Sequence, residues 1–331
     1  MSKSKTIGLT YDLRREYVFK KSDPPDANAE FDHHLTIGII EKALVKIGHK
    51  VVRIGNVQSL LEKLSSLKVD IVFNIAEGIS GRNRESQVPV ILETKNIPFV
   101  GSDGLTMGLT LDKFLTKKIL ITERIPTPAF MEIKDVAELN GFKLNFPLIV
   151  KPRYEGSSKG ISKDSLTRNI KSMKERADWV IKTYKQPALV EEFIRGQEFT
   201  ILVLGNKKPE ALPPVQISIR GKTELGDMFY TFGHIRSRAL KYICPPKISR
   251  DLRKKIEEVA VKAYKALECA DFGRVDIRVD EKGTPFVLEI NPLPSLSSDD
   301  VFPLIGGQLG IGYEGILKRI LNCAFERYGI N

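Results

Sequence analysis

With 331 residues the chain is too long for a stapled mini-domain and long enough for two or three domains with large cores. Hydrophobic residues make up 42% and charged residues 28%, no apolar run reaches the length of a membrane helix, and no signal-peptide core follows "MSKSKTIGLTYDL", so the expected location is the cytoplasm, without a membrane partner. The formal charge of +11 lies on scattered lysines without interleaved aromatics or a nucleic-acid motif; an anionic cofactor and a lysine-rich solvated surface explain it as well as nucleic acid would, and no nucleic-acid partner is expected.

The first hundred residues alternate strand and helix signals: "TIGLTY", "LTIGIIEKALVKIGH" with apolar residues at helical spacing, "KVVRIG", "VQSLLEKLSSL", "DIVFNIA", "QVPVILETKN" and "IPFVGS". This pattern predicts a parallel α/β sheet with ligands at the carboxyl ends of its strands. A long loop, Asp12 to Ala29, carries Pro24-Pro25 and many charges. From Leu111 a helix "LDKFLTKKILI" leads to "RIPTPAF", and "FPLIVKPRYEGSSKGISK" predicts strand, glycine-serine loop, strand, with a helix near Met173 to Tyr184 after it. The remainder predicts a second α+β unit: strands in "ALVEEFIRGQEFTILVLGN" and "VQISI", a helix Leu252 to Leu267, a hairpin and a final helix. Boundaries are expected near Gly101 and Arg195, giving segments 1–101, 102–195 and 196–331. Cys244, Cys269 and Cys323 lack metal-ligand spacing and read as thiols of a reduced compartment.

Two stretches carry chemistry. In "KPRYEGSSKG", Gly156 and Gly160 bracket Ser157 and Ser158, whose hydroxyls and backbone N–H groups can wrap phosphate oxygens, although a plain hairpin turn uses the same residues and no Walker loop is present. Lys151 ends the apolar run "FPLIV", an expensive place for an ammonium without an anionic partner. Lys113, in a helix, reads by itself as a surface lysine. "ALVEEFIRGQEF" links two strands through a short hinge that offers backbone groups at Glu192 and Ile194 to an adenine, and Glu198 starts the next strand, where it faces ribose hydroxyls or solvent.

The second stretch is "GRVDIRVDEKGTPFVLEINPLP". Side chains two apart on a strand share a face, so Glu289 and Asn291 point together while Leu288 and Ile290 point away. A loop of two or four residues centred on Lys282-Gly283 sets Asp276 opposite Glu289 and Arg274 opposite Asn291. Two carboxylates and an amide are hard oxygen donors suited to Mg²⁺ with phosphate and water completing the shell. The plainer alternative is an exposed strand face on which Arg278 and Lys282 neutralise the acids.

Taken in order, Lys113, Lys151, Glu155-Gly156-Ser157-Ser158, "LVEEFIRGQEFT", "GRVDI" and "LEINPLP" resemble the ATP-grasp superfamily, and among its members the D-alanine:D-alanine ligase family, over nearly the whole chain. The resemblance implies an ATP-grasp fold: an N-terminal parallel α/β domain and two α+β subdomains sandwiching ATP. It places Lys113 and Lys151 at ATP phosphates, Ser157 and Ser158 in a closing flap, Glu191 to Ile194 at adenine, and Glu198 at ribose. Asp276, Glu289 and Asn291 match the family's magnesium ligands, for which Mn²⁺ is an alternative ion, and Arg274 its catalytic arginine. The implied function is an ATP-dependent carboxylate-amine ligase acting through an acyl phosphate on amino acids or peptides, as a homodimer. The alternative is a regulatory or scaffold protein that kept the nucleotide site and lost the chemistry.

Three departures bear on that choice. Where the family has His-Gly and then Gly-Glu-Asp-Gly, this chain has Glu77-Gly78 and "GRNRES". Ile235 falls where the family carries a phosphate-binding lysine, and the adjacent Arg236 either replaces it or belongs to a basic surface loop. Glu30 matches the acid that holds the first substrate's ammonium, while His33 and His34 face different ways. The family's acceptor-carboxylate site is matched by Pro294-Ser295-Leu296-Ser297 and Asp300; Asp300 either repels a free carboxylate, favouring a neutral or cationic acceptor, or caps the next helix.

Overall fold

A computed structural model describes residues 3–138, 142–234, 237 and 239–330. The alternating N-terminal pattern folds as β1 (Thr6–Tyr11), α1 (His34–Lys46), β2 (Lys50–Gly55), α2 (Val57–Lys63), β3 (Ile71–Ile75), α3 (Gln87–Thr94) and β4 (Phe99–Val100). The strands form a four-stranded parallel sheet in the order β2-β1-β3-β4. All of β3 is buried, as expected of a parallel strand covered on both faces. The long loop after β1 is tied across the molecule: the Asp26 carboxylate accepts from the Gly160 N–H and the Tyr184 hydroxyl, each at 2.8 Å.

Next come α4 (Gly104–Leu111), α5 (Lys113–Thr122), β5 (Phe130–Ile133), β6 (Leu148–Pro152), β7 (Leu166–Thr167), α6 (Ile170–Tyr184) and β8 (Ala188–Glu192). Their strands make an antiparallel sheet in the order β5-β8-β6-β7. The Asn169 side chain caps α6, which lays Met173, Ala177 and Val180 against this sheet at helical spacing.

The third set is β9 (Gln197–Leu204), β10 (Glu210–Ala211), β11 (Val215–Ile219), β12 (Leu240–Ile243), α7 (Arg250–Ala266), β13 (Phe272–Val279), β14 (Pro285–Asn291), α8 (Val301–Gln308) and α9 (Gly312–Tyr328). The sheet runs β12-β11-β9-β13-β14, with β10 on the margin of β9. Ser249 caps α7, and Ile256, Ala260, Ala263 and Tyr264 form its buried stripe. Two helices stand where one terminal helix was expected. They return to the first sheet: Ile316, Leu317 and Ile320 of α9 share a core with Ile7 and Leu9 of β1 and Ile37 and Ile40 of α1. Among the described residues no helix is long and apolar enough to cross a membrane.

Candidate active site

A cavity of about 860 Å³ opens where the three sheets converge. It is lined by Glu30, Lys113, Lys151, Ser157, Ser158, Glu191, Glu192, Ile194, Glu198, Arg274, Asp276, Glu289, Asn291, Ser295 and Asp300, so every sequence-predicted site residue within the described set converges there. Arg236 lies outside the described residues.

The hairpin β13–β14 places Asp276 opposite Glu289 and Arg274 opposite Asn291, as expected. The route to that register differs. Val279 pairs with Pro285, leaving a five-residue loop, and the register shifts between Asp276 and Ile277 so that Leu288 is the extra residue of a bulge. Leu288 borders the cavity and is not a core residue, whereas Val287 is core and Ile290 is core that also borders the cavity, so the expected pairing of Leu288 with Ile290 on the face away from the site is corrected. Bulges bend a strand and re-aim its side chains, and this one brings Glu289 back into line with Asp276.

Asp276 is held from two sides. Thr200 Oγ1 donates to Oδ1 at 2.5 Å, Arg274 donates to both carboxylate oxygens at 3.1 and 3.0 Å, and Asn291 Nδ2 donates to Oδ2 at 3.0 Å, which leaves the Asn291 amide oxygen for another partner. Burial and the facing Glu289 push the Asp276 carboxyl up against the pull of Arg274. Burial also opposes ionisation of Glu289, but Lys113, Lys151 and Arg274 outweigh it and hold that carboxyl below its ordinary value. Two facing carboxylates with an amide oxygen beside them are a donor set that fits a divalent cation, which would relieve their mutual repulsion. Arg278 does not neutralise this face. It is 3% exposed, lies 3.6 Å from Glu198 and packs on the Phe193 ring at 4.5 Å, so Glu198 is a buried, paired acid rather than a solvated one.

The lysines expected at the phosphates are deeper than the sequence suggested. Lys113, read as a surface residue, is buried; its ammonium donates to the Glu155 carbonyl and lies 3.7 Å from Glu289. Lys151 lies 3.0 Å from Glu191 Oε1, and Lys117, which sequence reasoning missed, lies 3.3 Å from the same oxygen. Burial drives the Lys117 ammonium down to about 8 despite Glu191. Glu191 itself is raised by burial, but the two lysines prevail and hold it below the usual carboxylate range. A signal existed, since Lys113 and Lys117 are one helical turn apart and share a face.

Ser157 and Ser158 both adopt left-handed backbone, φ 45° and 54°, a conformation that costs about 1 kcal/mol or more at each non-glycine position and concentrates at ligand-binding turns. The turn is anchored by Glu30. Its Oε1 accepts from the Gly156 N–H and from Arg84, both at 2.6 Å, and its Oε2 accepts from Lys159 at 3.1 Å. A Cβ on Gly156 would come within 2.7 Å of Glu30 Oε1, so this approach requires glycine. Lys159 also pairs with Glu155. Against the burial that raises it, these cations and the Gly156 N–H bring the Glu30 carboxyl down to about 2.

Glu77 and Glu85, from the departing "GRNRES" region and the residue before Gly78, close on Glu30: oxygens of the three carboxylates lie within 4.8 Å of one another. Gly78, at φ 75°, permits this because a Cβ there would stand 2.5 Å from the Arg84 carbonyl oxygen. Burial pushes Glu85 up from 4.5 to about 7, with Arg84 opposing. The folded chain thus binds protons at Glu85 that the unfolded chain releases above about 4.5, so this contribution to stability declines as pH rises from there to about 7. Glu30 acts in the opposite sense: its contribution is complete above 4.5 and is lost as pH falls towards 2. Glu85→Gln is expected to stabilise the protein at pH 8 and to change it little at pH 5, read from urea midpoints at the two values. Equal shifts at both would contradict the assignment.

Asp300 is the N-cap of α8, accepting from the Val301 N–H at 2.6 Å, and lies 3.8 Å from Arg274; both expectations for it therefore have a geometric basis. Burial raises its carboxyl against Arg274.

This arrangement, a cavity walled by a glycine-serine turn, buried lysines and a carboxylate-bearing hairpin between two antiparallel sheets, is that of the ATP-grasp ligases. The same fold is found in a Bacillus anthracis D-alanine:D-alanine ligase solved in complex with ATP, with TM-score 0.76 and 23% identity over 98% of this chain and 99% of that one. It is also found in the VanG D-Ala:D-Ser ligase of Enterococcus faecalis, with TM-score 0.72 and 20% identity over 97% and 100%. The profile described as D-ala D-ala ligase C-terminus matches residues 123–322. A D-alanine:D-alanine ligase of Carboxydothermus hydrogenoformans is 35% identical over 87% of this chain and 91% of its own length. An uncharacterized protein, y4sG, of Sinorhizobium fredii is 35% identical over 78% and 75%. The chain belongs to the D-alanine:D-alanine ligase family, and the expectation of an ATP-dependent ligase of that type is met.

Proposed function

We propose that the protein joins the carboxylate of one amino acid or peptide to the amine of another while converting ATP to ADP and phosphate. A carboxylate oxygen attacks the γ-phosphorus as ADP leaves. The amine then attacks the acyl carbon, phosphate departs with that oxygen, and the nitrogen loses a proton to leave an amide. No protein nucleophile is needed, so the chain's contribution is positioning and charge neutralisation.

The observation that carries this reading is the convergence of Arg274, Asp276, Glu289 and Asn291 with Lys113 and Lys151 on one cavity. In it, Lys113 and Lys151 neutralise phosphate oxygens, and the Ser157-Ser158 turn covers them. The hinge from Glu191 to Ile194 receives adenine: Glu192 N–H is bound to the Ala129 carbonyl, while Ile194 N–H has no acceptor among the described residues and is open to a ring nitrogen. Glu198 takes ribose hydroxyls. Asp276, Glu289 and Asn291 would hold Mg²⁺ or Mn²⁺, which supplies positive charge at the β- and γ-phosphates. Arg274 stabilises the negative charge on the attacked carboxylate and the departing phosphate. The test is an ADP-release screen over amino acids and dipeptides of both chiralities. Release stimulated by particular donor and acceptor pairs is expected, and no stimulation by any pair would overturn the reading.

Asp300→Asn separates the two roles of that residue, because the amide oxygen retains the cap and the charge is lost. The wild type is expected to favour amidated or cationic acceptors, and the variant to shift towards acceptors with a free carboxylate at unchanged melting temperature. An unchanged preference would assign Asp300 to the cap alone.

A further inference from the structure

The acidic group beside the glycine-serine turn has two unlike sides. Glu30 is saturated by Arg84, Lys159 and the Gly156 N–H, and Glu155 shares Lys159. Arg84 and Lys159 do not line the main cavity; they lie towards a separate pocket with Glu155 and Tyr184. Glu77 and Glu85 do line the main cavity. Glu85 is only 8% exposed, yet it has no hydrogen bond and no ion pair among the described residues. Its oxygens are not among the fully buried unpaired atoms of the described residues, so they open onto the cavity, where an entering cation would find an acid with no partner of its own.

We propose that Glu77 and Glu85 receive the ammonium group of an amino-acid carboxylate donor, bridged between them as Lys159 is bridged between Glu30 and Glu155. This rests on the ligase reading above and deepens it: the donor is an amino acid, and its ammonium site has moved from Glu30, already filled by the protein's own cations, to the two acids that stand where the family pattern is broken. An ammonium group, with three donors, fits two carboxylates whose oxygens lie within 4.8 Å. Arg84 and Lys159 already neutralise the third acid, which disfavours a divalent metal there.

The charged groups facing the pair are consistent with this. The largest influences on Glu77 are burial and the acids Glu85, Glu30 and Asp32, with Arg84 opposing, and together they hold its carboxyl well above the usual range. Glu85 meets Glu30 and Glu155 against Arg84 and Lys113. An ammonium bound between the two acids favours their ionised forms, so its binding is expected to release protons.

Isothermal titration calorimetry on the full chain tests this, using D-alanine, L-alanine, propionate and Mg²⁺ alone as probes in two buffers of different ionisation heat at pH 7. At least one alanine is expected to bind with proton release, propionate at least ~10-fold more weakly, and Glu77→Gln and Glu85→Gln to weaken alanine at least ~10-fold while leaving ATP binding within ~2-fold. Glu85→Gln is expected to fold and to melt higher than the wild type, which a purely structural acid would not do. Propionate binding as well as alanine, alanine binding unaffected in both variants, binding of neither alanine, or displacement of alanine by Mg²⁺ in the absence of nucleotide would each overturn the proposal. Alanine binding that depends on Glu77 and Glu85, without ADP release for any acceptor, would support this site and sink the ligase reading instead.

Discussion

Glu289→Gln is expected to reduce turnover by at least on the order of 10²-fold while leaving the fold intact. The substitution keeps shape and hydrogen-bonding reach and removes one charge. Glu289 stays ionised in a buried setting only because Lys113, Lys151 and Arg274 surround it, and its position opposite Asp276 makes the pair a joint anion aimed at the cavity. With one acid gone, the hairpin keeps an Arg274–Asp276 pair and, on the proposed reading, would lose one of the two carboxylates that would hold a divalent cation. Steady-state ADP release at saturating ATP and Mg²⁺, with circular dichroism as the folding control, checks this. Turnover near that of the wild type would remove Glu289 from the site. Stability should fall modestly, because Lys113, Lys151 and Arg274 lose the anion they hold ionised, a loss that the relieved repulsion with Asp276 offsets only in part.

The second large effect is on stability. Glu191→Gln strands two ammonium groups, Lys117 and Lys151, that share one carboxylate oxygen in the interior. Breaking a buried pair by removing one partner typically destabilises by about 3–5 kcal/mol because the remaining charge is uncompensated. Here Lys117 has an escape, since burial has already brought it down to about 8 and loss of Glu191 lets it shed its proton. The loss should therefore be recovered in large part by adding Lys117→Met, which replaces the stranded charge with an apolar chain of similar length. Urea unfolding of the two single variants and the double variant measures the coupling. A Glu191→Gln variant within about 1 kcal/mol of the wild type would show that the three groups are not coupled.

Much of the site could be read from the sequence because it depends on local rules. The two-residue period of β14 puts Glu289 and Asn291 together, and hairpin pairing brings Asp276 to them. The loop length was misjudged, yet the register at the site end was right, since the bulge at Leu288 offsets the longer loop. Such a bulge leaves no sequence mark of its own; β13 stays in register with β9 along its full length, and β14 takes up the extra residue. Lys113 and Lys117 show their shared face in the helical repeat, but their burial follows from docking α5 against another part of the chain. The Glu77–Glu85 pair was visible only as a missing histidine. Its chemistry emerges when Gly78 folds the segment back on Arg84, which reaches Glu30 across 54 residues of sequence, and sets both acids beside it.

The most direct test of the central claim follows the oxygen. When the donor carboxylate is labelled with ¹⁸O and turnover is run with ATP and the acceptor identified in the ADP-release screen, the acyl-phosphate route carries one donor oxygen into each inorganic phosphate. Mass spectrometry of the phosphate is expected to show one ¹⁸O per molecule, matched to amide formed. Unlabelled phosphate released in step with ADP would mean that water, and not the carboxylate, attacks the γ-phosphorus, and the account of this cavity as a carboxylate-amine ligase site would be wrong.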